Sequence, residues 1–325
     1  MRTENHTYDE LDLRVLRALE IDGRASFSRI GAVLGVSDQT VARRFRGLSE
    51  DGGVRVVAVT DFEALGRDQW LLRLRCAPDG AEAIAAALAR RPDTLWVGLM
   101  AGGTEVFTVT RPRSRDDHDE LLLGKLPRTP SVLEIRVHQV LHRFYGGPES
   151  WLSKRVVLTE AEEEALRPPP RGPGPARIDP EDEPLVALLE RDGRATYPEL
   201  ARATGRSESA VKRRLAALLS SGAVYFDIDY PPELVGHGVL AALWITAAPS
   251  ALHSVGEALA AHPEVAYATA TSGVSNLTAT AVARDTPGLY AYLSRRLGTL
   301  EGVQHVETAP IVRRVKQLTY PKPRF

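Results

Sequence analysis

The string Ser-x-x-x-Val-x-Arg-Arg occurs twice in this chain, at Ser37–Arg44 and at Ser207–Arg214. Serine is a good helix N-cap, and on a helix that starts there Val41, Phe45 and Leu48 fall on one face. That leaves Gln39, Arg43 and Arg46 pointing out, with Thr40 and Arg44 flanking. In the second string Val211, Leu215 and Leu218 take the inward face, and Ser209, Lys212, Arg213 and Arg214 lie outward or flanking. Guanidinium groups so presented grip phosphates or pair bidentately with guanine, and an amide such as Gln39 reads adenine. A single arginine pair is most often a solvated basic face. The same string at the same place in two copies makes DNA contact the better reading. The candidate DNA-binding residues are therefore Ser37, Gln39, Thr40, Arg43, Arg44 and Arg46 in the first copy, and Ser207, Ser209, Lys212, Arg213 and Arg214 in the second.

Other chemistry is poorly supplied. His138 and His142 have metal-ligand spacing for a helix, but they fall on or just after an expected strand, with no third ligand in sight. Cys76 is the only cysteine, which excludes an internal disulfide and a cysteine-cluster metal site; WLLRLRC alternates as a half-buried strand, so the thiol is expected to be buried. There is no phosphate-cradling glycine loop, nucleophile elbow or zinc signature. No cofactor and no metal are expected, and the chain reads as a non-enzyme.

The elements that carry the two strings are themselves repeated. The stretch from Leu16 to Val54 lies over Val186 to Val224 at an offset of about 170 residues, and the same register places Gly66 on Gly236, Gly103 on Gly273 and Leu141 on Ile311. Each copy opens with three short helices. In the first, Leu13, Leu16 and Leu19 recur at helical spacing up to Asp22-Gly23, where Gly23 is suited to a left-handed C′ position. A second helix runs from Ser26 to Leu34 and closes at Gly35, and the third follows. Three helices with a glycine turn before the third form a helix-turn-helix, whose third helix lies in the major groove. Arg24 and Arg194, in the two DGRA strings, suit either a phosphate or a structural hydrogen bond to helix ends. A short strand follows, and then a pattern of strand, helix, strand, strand, helix, strand.

In the first copy those elements are expected at Trp70–Cys76, Ala81–Arg90, Leu95–Leu99, Glu105–Thr110, Asp116–Lys125 and Val132–Leu141. In the second they are expected at Val239–Ala247, Ala251–Ala260, Val265–Ala270, Leu277–Val282, Thr286–Arg296 and Val303–Val312. The fold class is α+β: two copies of a winged-type, three-helix helix-turn-helix domain, each followed by a ferredoxin-like βαββαβ sensor domain. The expected spans are 8–60 and 179–229 for the helix-turn-helix domains, and 66–147 and 236–320 for the sensor domains. Residues 148–178 form a capped acidic helix, Thr159 to Leu166, and a Pro/Gly-rich linker. The acidic run of that helix is expected to face solvent.

With 43% hydrophobic and 26% charged residues the chain has ordinary globular composition. Its net charge of −1 excludes a protein that coats a polyanion, so nucleic-acid binding must come from local patches. No apolar run is long enough for a membrane span or a signal peptide, and a cytoplasmic address is expected with no membrane partner.

Leu-Asp-x-x-x-Leu-x-x-Leu, Asp-Gly-Arg-Ala-Ser, Gly-Val-Ser-x-x-Thr-Val-x-Arg-Arg-x-x-x-Leu and a closing Gly-Val make the first module resemble the DNA-binding module of the leucine-responsive (Lrp)/AsnC regulators. The second module is similar but carries Arg206 where the first has Val36. The resemblance implies transcription regulation through double-stranded DNA and sensor domains that pair across a two-fold axis. Here that pairing implies an internal pseudo-dimer of the two copies, with further homo-oligomers open. It also implies an amino-acid-like effector near the turn between the second and third sensor strands. The matching residues are Gly102, Gly103, Thr104 and Glu105 in one copy and Gly273, Ser275 and Asn276 in the other; small residues there also serve a plain tight turn. Siroheme decarboxylases resemble the same regulators, so a tetrapyrrole enzyme, with His138, His142, Arg136 and Arg143 on its substrate, is the alternative. Neither histidine recurs in the second copy.

Overall fold

A computed structural model describes residues 8–50, 53–112, 114–170, 172, 174–231, 236, 238–318 and 320–321. Of the expected domains and linker, Asp51, Gly52, Arg113, Arg171, Pro173, His237 and Thr319 lie outside these residues. The first copy begins with α1 (Glu10–Ile21), α2 (Phe27–Leu34), α3 (Asp38–Glu50) and strand β1 (Arg55–Thr60). Its sensor part has β2 (Trp70–Cys76), α4 (Ala81–Ala89), β3 (Thr94–Met100), β4 (Glu105–Thr110), α5 (Arg115–Asp119) running on as a π-helical turn, and β5 (Val132–Tyr145). After the short α6 (Glu160–Leu166) the second copy repeats the plan with α7 (Glu183–Leu189), α8 (Tyr197–Thr204), α9 (Glu208–Ser220) and β6 (Val224–Asp229). Then come β7 (Val239–Ala247), α10 (Leu252–Ala261), β8 (Val265–Thr271), β9 (Leu277–Ala283), α11 (Thr286–Arg295), β10 (Val303–Gln317) and the short β11 (Tyr320–Pro321). Among the described residues no helix is long and apolar enough to cross a membrane.

The copies are not packed one after the other. Like parts join like: one compact unit comprises Met1–Leu65 with Leu152–Gly236, and the other Gly66–Trp151 with His237–Phe325. In the helical unit, Asp9 and Thr196 cap α1 and α8 with reciprocal capping boxes, and Gly35 and Gly205 end α2 and α8 in the left-handed conformation. Gly23 does not take the expected left-handed turn. It is required for another reason: a Cβ there would lie 2.6 Å from the Phe226 Cβ, and one on Gly193 would lie 2.9 Å from the Val56 carbonyl oxygen. Both glycines allow the other copy's strand to approach, and β1 and β6 pair antiparallel across the pseudo-two-fold.

In the sheet unit the first copy contributes four antiparallel strands and the second four plus the short β11 beside β10, and each set is backed by the apolar faces of its own helices. The long strands join the two sheets. β5 pairs with β2 up to Gln139 and then with β8, while β10 pairs with β7 up to Pro310 and then with β3. The sheet therefore closes in the order β10-β3-β4-β2-β5-β8-β9-β7 and back to β10. This exchange explains why both strands run beyond the expected ends at Leu141 and Val312: the last residues of β5 pair with β8 of the other copy, and those of β10 with β3 of the other copy and with the short β11.

The register of the repeat also needs one correction. The offset is 170 in the helical modules but 171 in the sensor modules, where the N-caps Ser114 and Asp285, and the strand starts Val132 and Val303, correspond. One extra residue thus separates module from module in the second copy. Gly273 matches Gly102 rather than Gly103, and Leu141 matches Val312 rather than Ile311.

Candidate nucleic-acid interface and effector cleft

Helices α3 and α9 seat their apolar faces as expected, with Val41, Leu48, Val211, Leu215 and Leu218 buried. At their N-termini the Ser37 hydroxyl accepts from the Thr40 amide at 3.1 Å and lies 2.9 Å from the Thr40 hydroxyl. The Ser207 hydroxyl accepts from the Ala210 amide and meets that of Ser209 at 3.1 Å. Gln39, Arg43 and Arg46 on α3, and Lys212 and Arg213 on α9, are exposed. None of these four cations has an ion-pair partner among the described residues.

The second arginine of each pair is engaged elsewhere. Arg44 reaches the N-terminus of α1, 2.8 Å from Asp9 and 3.4 Å from Asp12. Arg214 does the same in the second copy, donating to both oxygens of Asp182 and, at 3.2 Å, to Asp179. Burial is the largest influence on the Asp182 carboxyl and works to raise it, but the Arg214 hydrogen bond, the Asp179 backbone hydrogen bond and the Coulomb attraction of Arg214 and Arg206 together outweigh it and hold the group below its ordinary value. Arg44 and Arg214, expected to flank a DNA face, brace their third helix against the first. Arg206 likewise turns to Glu181 and Asp182.

Arg24 and Arg194 are resolved in favour of structure. Arg24 donates to the Gly193 and Ala195 carbonyls at 2.7 and 2.9 Å, and Arg194 to those of Gly23 and Ala25 at 2.7 and 3.0 Å. Each guanidinium also lies over an aromatic ring of the other copy, Tyr197 at 5.2 Å and Phe27 at 4.6 Å. Burial and the neighbouring Arg24 depress the Arg194 guanidinium. The acidic helix α6 is not a solvated face either: Glu162 holds Arg14 and Glu163 holds Arg17, while the Ala165 carbonyl accepts from Arg29.

In the sheet unit the two expected effector turns differ. Gly102 and Gly103 have φ of +67° and +91° with open space where a Cβ would stand, and Thr104 only closes its own turn onto the Ala101 carbonyl. The second turn is packed: a Cβ on Gly273 would lie 2.6 Å from His138 Nδ1, and that ring nitrogen is 2.7 Å from the Ser272 carbonyl. The Ser275 carbonyl accepts from the Thr271 hydroxyl, and the Asn276 amide both accepts from and donates to the Ala247 backbone. Asn276 thereby ties the turn to the end of β7.

Glu105 opens instead onto a cleft of about 230 Å³ lined by Arg73, Arg75, Glu105, Glu134, Arg136 and Glu307. Arg73 donates to Glu105 at 2.7 and 3.1 Å and to Glu307 at 2.6 Å. Burial is the largest influence and opposes its charge, but those bonds together with the Coulomb attraction of the two carboxylates outweigh it and hold the guanidinium above its ordinary value. Arg75 and Arg136 share Glu134. Of this group only Glu105 was picked out as an effector residue from the sequence. The alternation of WLLRLRC marks Arg73 and Arg75 as the polar phase of a strand, but nothing local says that this phase faces a second sheet.

Comparison with known proteins adds the following. The AsnC-type helix-turn-helix domain matches residues 9–49 and 178–219, and the Lrp/AsnC ligand-binding domain matches residues 240–321. HTH-type transcriptional regulator LrpA of Pyrococcus horikoshii is 29% identical over 140 residues, which cover 43% of this chain and 99% of that protein. HTH-type transcriptional regulator FL11 of Pyrococcus furiosus is 25% identical over 143 residues, 44% of this chain and 94% of that one. The crystal structure of the siroheme decarboxylase NirDL matches with a TM-score of 0.62 at 16% identity, over 96% of this chain and 94% of that one. That match corrects the expectation of a non-enzyme, since a decarboxylase has the same fold along nearly the whole chain, and the architecture does not separate the two activities.

Proposed function

Since the chain belongs to the Lrp/AsnC family of transcriptional regulators, with its helix-turn-helix domain present twice, we propose that it is a sequence-specific DNA-binding regulator responsive to a small effector. In this reading α3 and α9 enter successive major grooves one or more helical turns apart. They read unlike half-sites, because α3 offers Gln39, Ala42 and Arg46 where α9 offers Ser209, Lys212 and Ala216. The carrying observation is the division of labour within each Arg-Arg pair: one arginine braces the fold, and its neighbour is left exposed on the same helix in both copies. The effector's place is the open turn at Gly102–Thr104 with the cleft beside Glu105, and a ligand there acts only through unequal affinity for two arrangements of the sensor pair. A cytoplasmic address goes with this function.

The test is selection of bound duplexes from a random pool, with and without amino acids, by the purified chain. Enrichment of a motif with two unlike halves supports the reading. Failure to enrich any sequence, with binding that is weak at all salt concentrations, overturns it. A second reading, a siroheme decarboxylase-like activity, rests on the fold match over 96% of the chain. Change of an added siroheme's absorbance on incubation with the chain would favour it.

A further inference from the structure

The contacts that join the two helical modules are reciprocal, with Arg24 and Arg194 trading the same pair of carbonyls. Contacts of that kind would serve equally if either copy met a second example of itself. Those that join the sensor modules are not reciprocal. At the 171-residue offset, Arg73, Arg75, Glu105, Glu134 and Arg136 of the first copy correspond to Trp244, Thr246, Asn276, His305 and Glu307 of the second. Arg136 and Glu307 thus occupy equivalent positions with opposite charge.

We infer that the inward faces of the two sensor modules form a lock and key that pairs the first copy with the second and excludes pairing of either with itself. Two independent features carry this. The first is charge. Within the first copy Arg73 and Arg136 are direct cross-strand neighbours, a destabilising like-charge pair; Glu105 of the same copy meets Arg73 at 2.7 and 3.1 Å, and Glu307 of the second copy supplies the further carboxylate at 2.6 Å. The mixed cleft balances three guanidiniums with three carboxylates. Two first copies would bring six guanidiniums to four carboxylates, and two second copies would bring a pair of Glu307 carboxylates with none of those arginines.

The second feature is shape. Trp244 of the second copy is 1% exposed and fills a slot made by the first: the Phe107 ring in a T-shaped contact with centroids 5.4 Å apart, the His138 ring with centroids 5.2 Å apart and the Arg73 guanidinium at 5.5 Å. The equivalents of Phe107 and His138 are Thr278 and Ala309, which are too small to build that slot. Two second copies would face two indoles with no receptor, and two first copies would leave two receptors with no indole. Each paired sensor unit consequently contains one copy of each kind, independently of what the helical unit binds.

The pairing is read directly by a disulfide reporter in the full chain. His142 and Ala270 are register neighbours on β5 and β8, so His142→Cys and Ala270→Cys in a Cys76→Ala background crosslink only when unlike copies pair. In self-pairing, residue 142 would face Leu99 of the other first copy. The parent reporter should crosslink nearly completely, as mapped by peptide mass. Adding Arg136→Glu and Glu307→Arg sets Arg73 against an arginine in the mixed pair and makes the first copy complementary to itself. The 142–270 linkage should then fall by about tenfold at high protein concentration, where the tether's advantage is smallest. Linkage equal to the parent's in a variant with native circular dichroism overturns the inference. If that variant does not fold, Arg136→Glu alone keeps the Arg73–Glu307 contact and should give linkage that declines as protein concentration rises; linkage independent of concentration and equal to the parent's overturns it.

Discussion

Adjacent arginines on one helix are chemically identical, and their surroundings alone assign their roles. Arg214 lies beside Asp182, a carboxylate only 1% exposed, and Arg44 makes the matching contact with Asp12. Arg43 and Arg213 are exposed and have no ion-pair partner among the described residues. Removal of Arg214 leaves the buried Asp182 carboxylate with only the more distant Arg206, at 3.6 Å, as its ion-pair partner among the described residues, so Arg214→Ala should lower unfolding free energy by about 1–3 kcal/mol, measured by urea denaturation. Its effect on the salt dependence of DNA binding should be nil. Lys212→Ala or Arg213→Ala should do the reverse, leaving stability within about 0.5 kcal/mol and reducing the slope of log affinity against log salt by about 1 each. A loss of slope in Arg214→Ala would mean that the brace is itself a phosphate contact. The sequence placed all of these side chains on the correct helices. It did not separate brace from free cation, because the partners are 32 residues away for Arg44 and Arg214 alike, beyond any helical periodicity.

Elements were legible wherever the pattern that makes them is local. Capping serines and threonines, the C-terminal glycines of α2 and α8, and the period-two strands all appear close to where their residue types demand. The acidic helix α6 was legible as a helix from its Thr159–Glu162 capping box, but its surface was misjudged: its partners Arg14, Arg17 and Arg29 lie more than 130 residues earlier. At the equivalent positions of the second copy stand Pro184, Ala187 and Glu199, so this clasp belongs to one copy only. Glu162→Gln with Glu163→Gln should loosen α6 without unfolding the helical unit. The expected outcome is faster limited proteolysis in the Pro/Gly-rich segment after Leu166 and a stability loss of about 1 kcal/mol, given partly exposed pairs. Unchanged proteolysis would mean that the buried Leu166 and the Arg29 contacts hold α6 by themselves.

At the scale of the whole molecule the pairing of unlike sensor modules has a pH signature. The hydrogen bond from Arg73 holds the Glu307 carboxyl below its ordinary value, with burial opposing and Coulomb attraction assisting. A carboxylate whose folded pKa is depressed contributes its full stability above the unfolded value, about 4.3 for Glu, and loses it as pH falls through the lower folded value. Glu307→Gln should therefore lower the melting temperature of the sheet unit at pH 7, and the gap to the wild type should close progressively below about pH 4. A gap that persists undiminished at acidic pH would show that Glu307 acts through its size rather than its charge.

Family, duplication, helix positions and strand positions were determined by the sequence alone, because each rests on patterns a few residues long and here each is written twice. The tertiary structure decided everything that depends on which faces meet. It grouped like modules into two units, closed the sheet through β5 and β10, turned the polar phase of β2 inward, and gave Arg136 and Glu307 opposite parts at one equivalent position. Local periodicity states that a face is polar or apolar. Only the folded chain brings residues such as Arg73 and Glu307, 234 positions apart, within a hydrogen bond of each other.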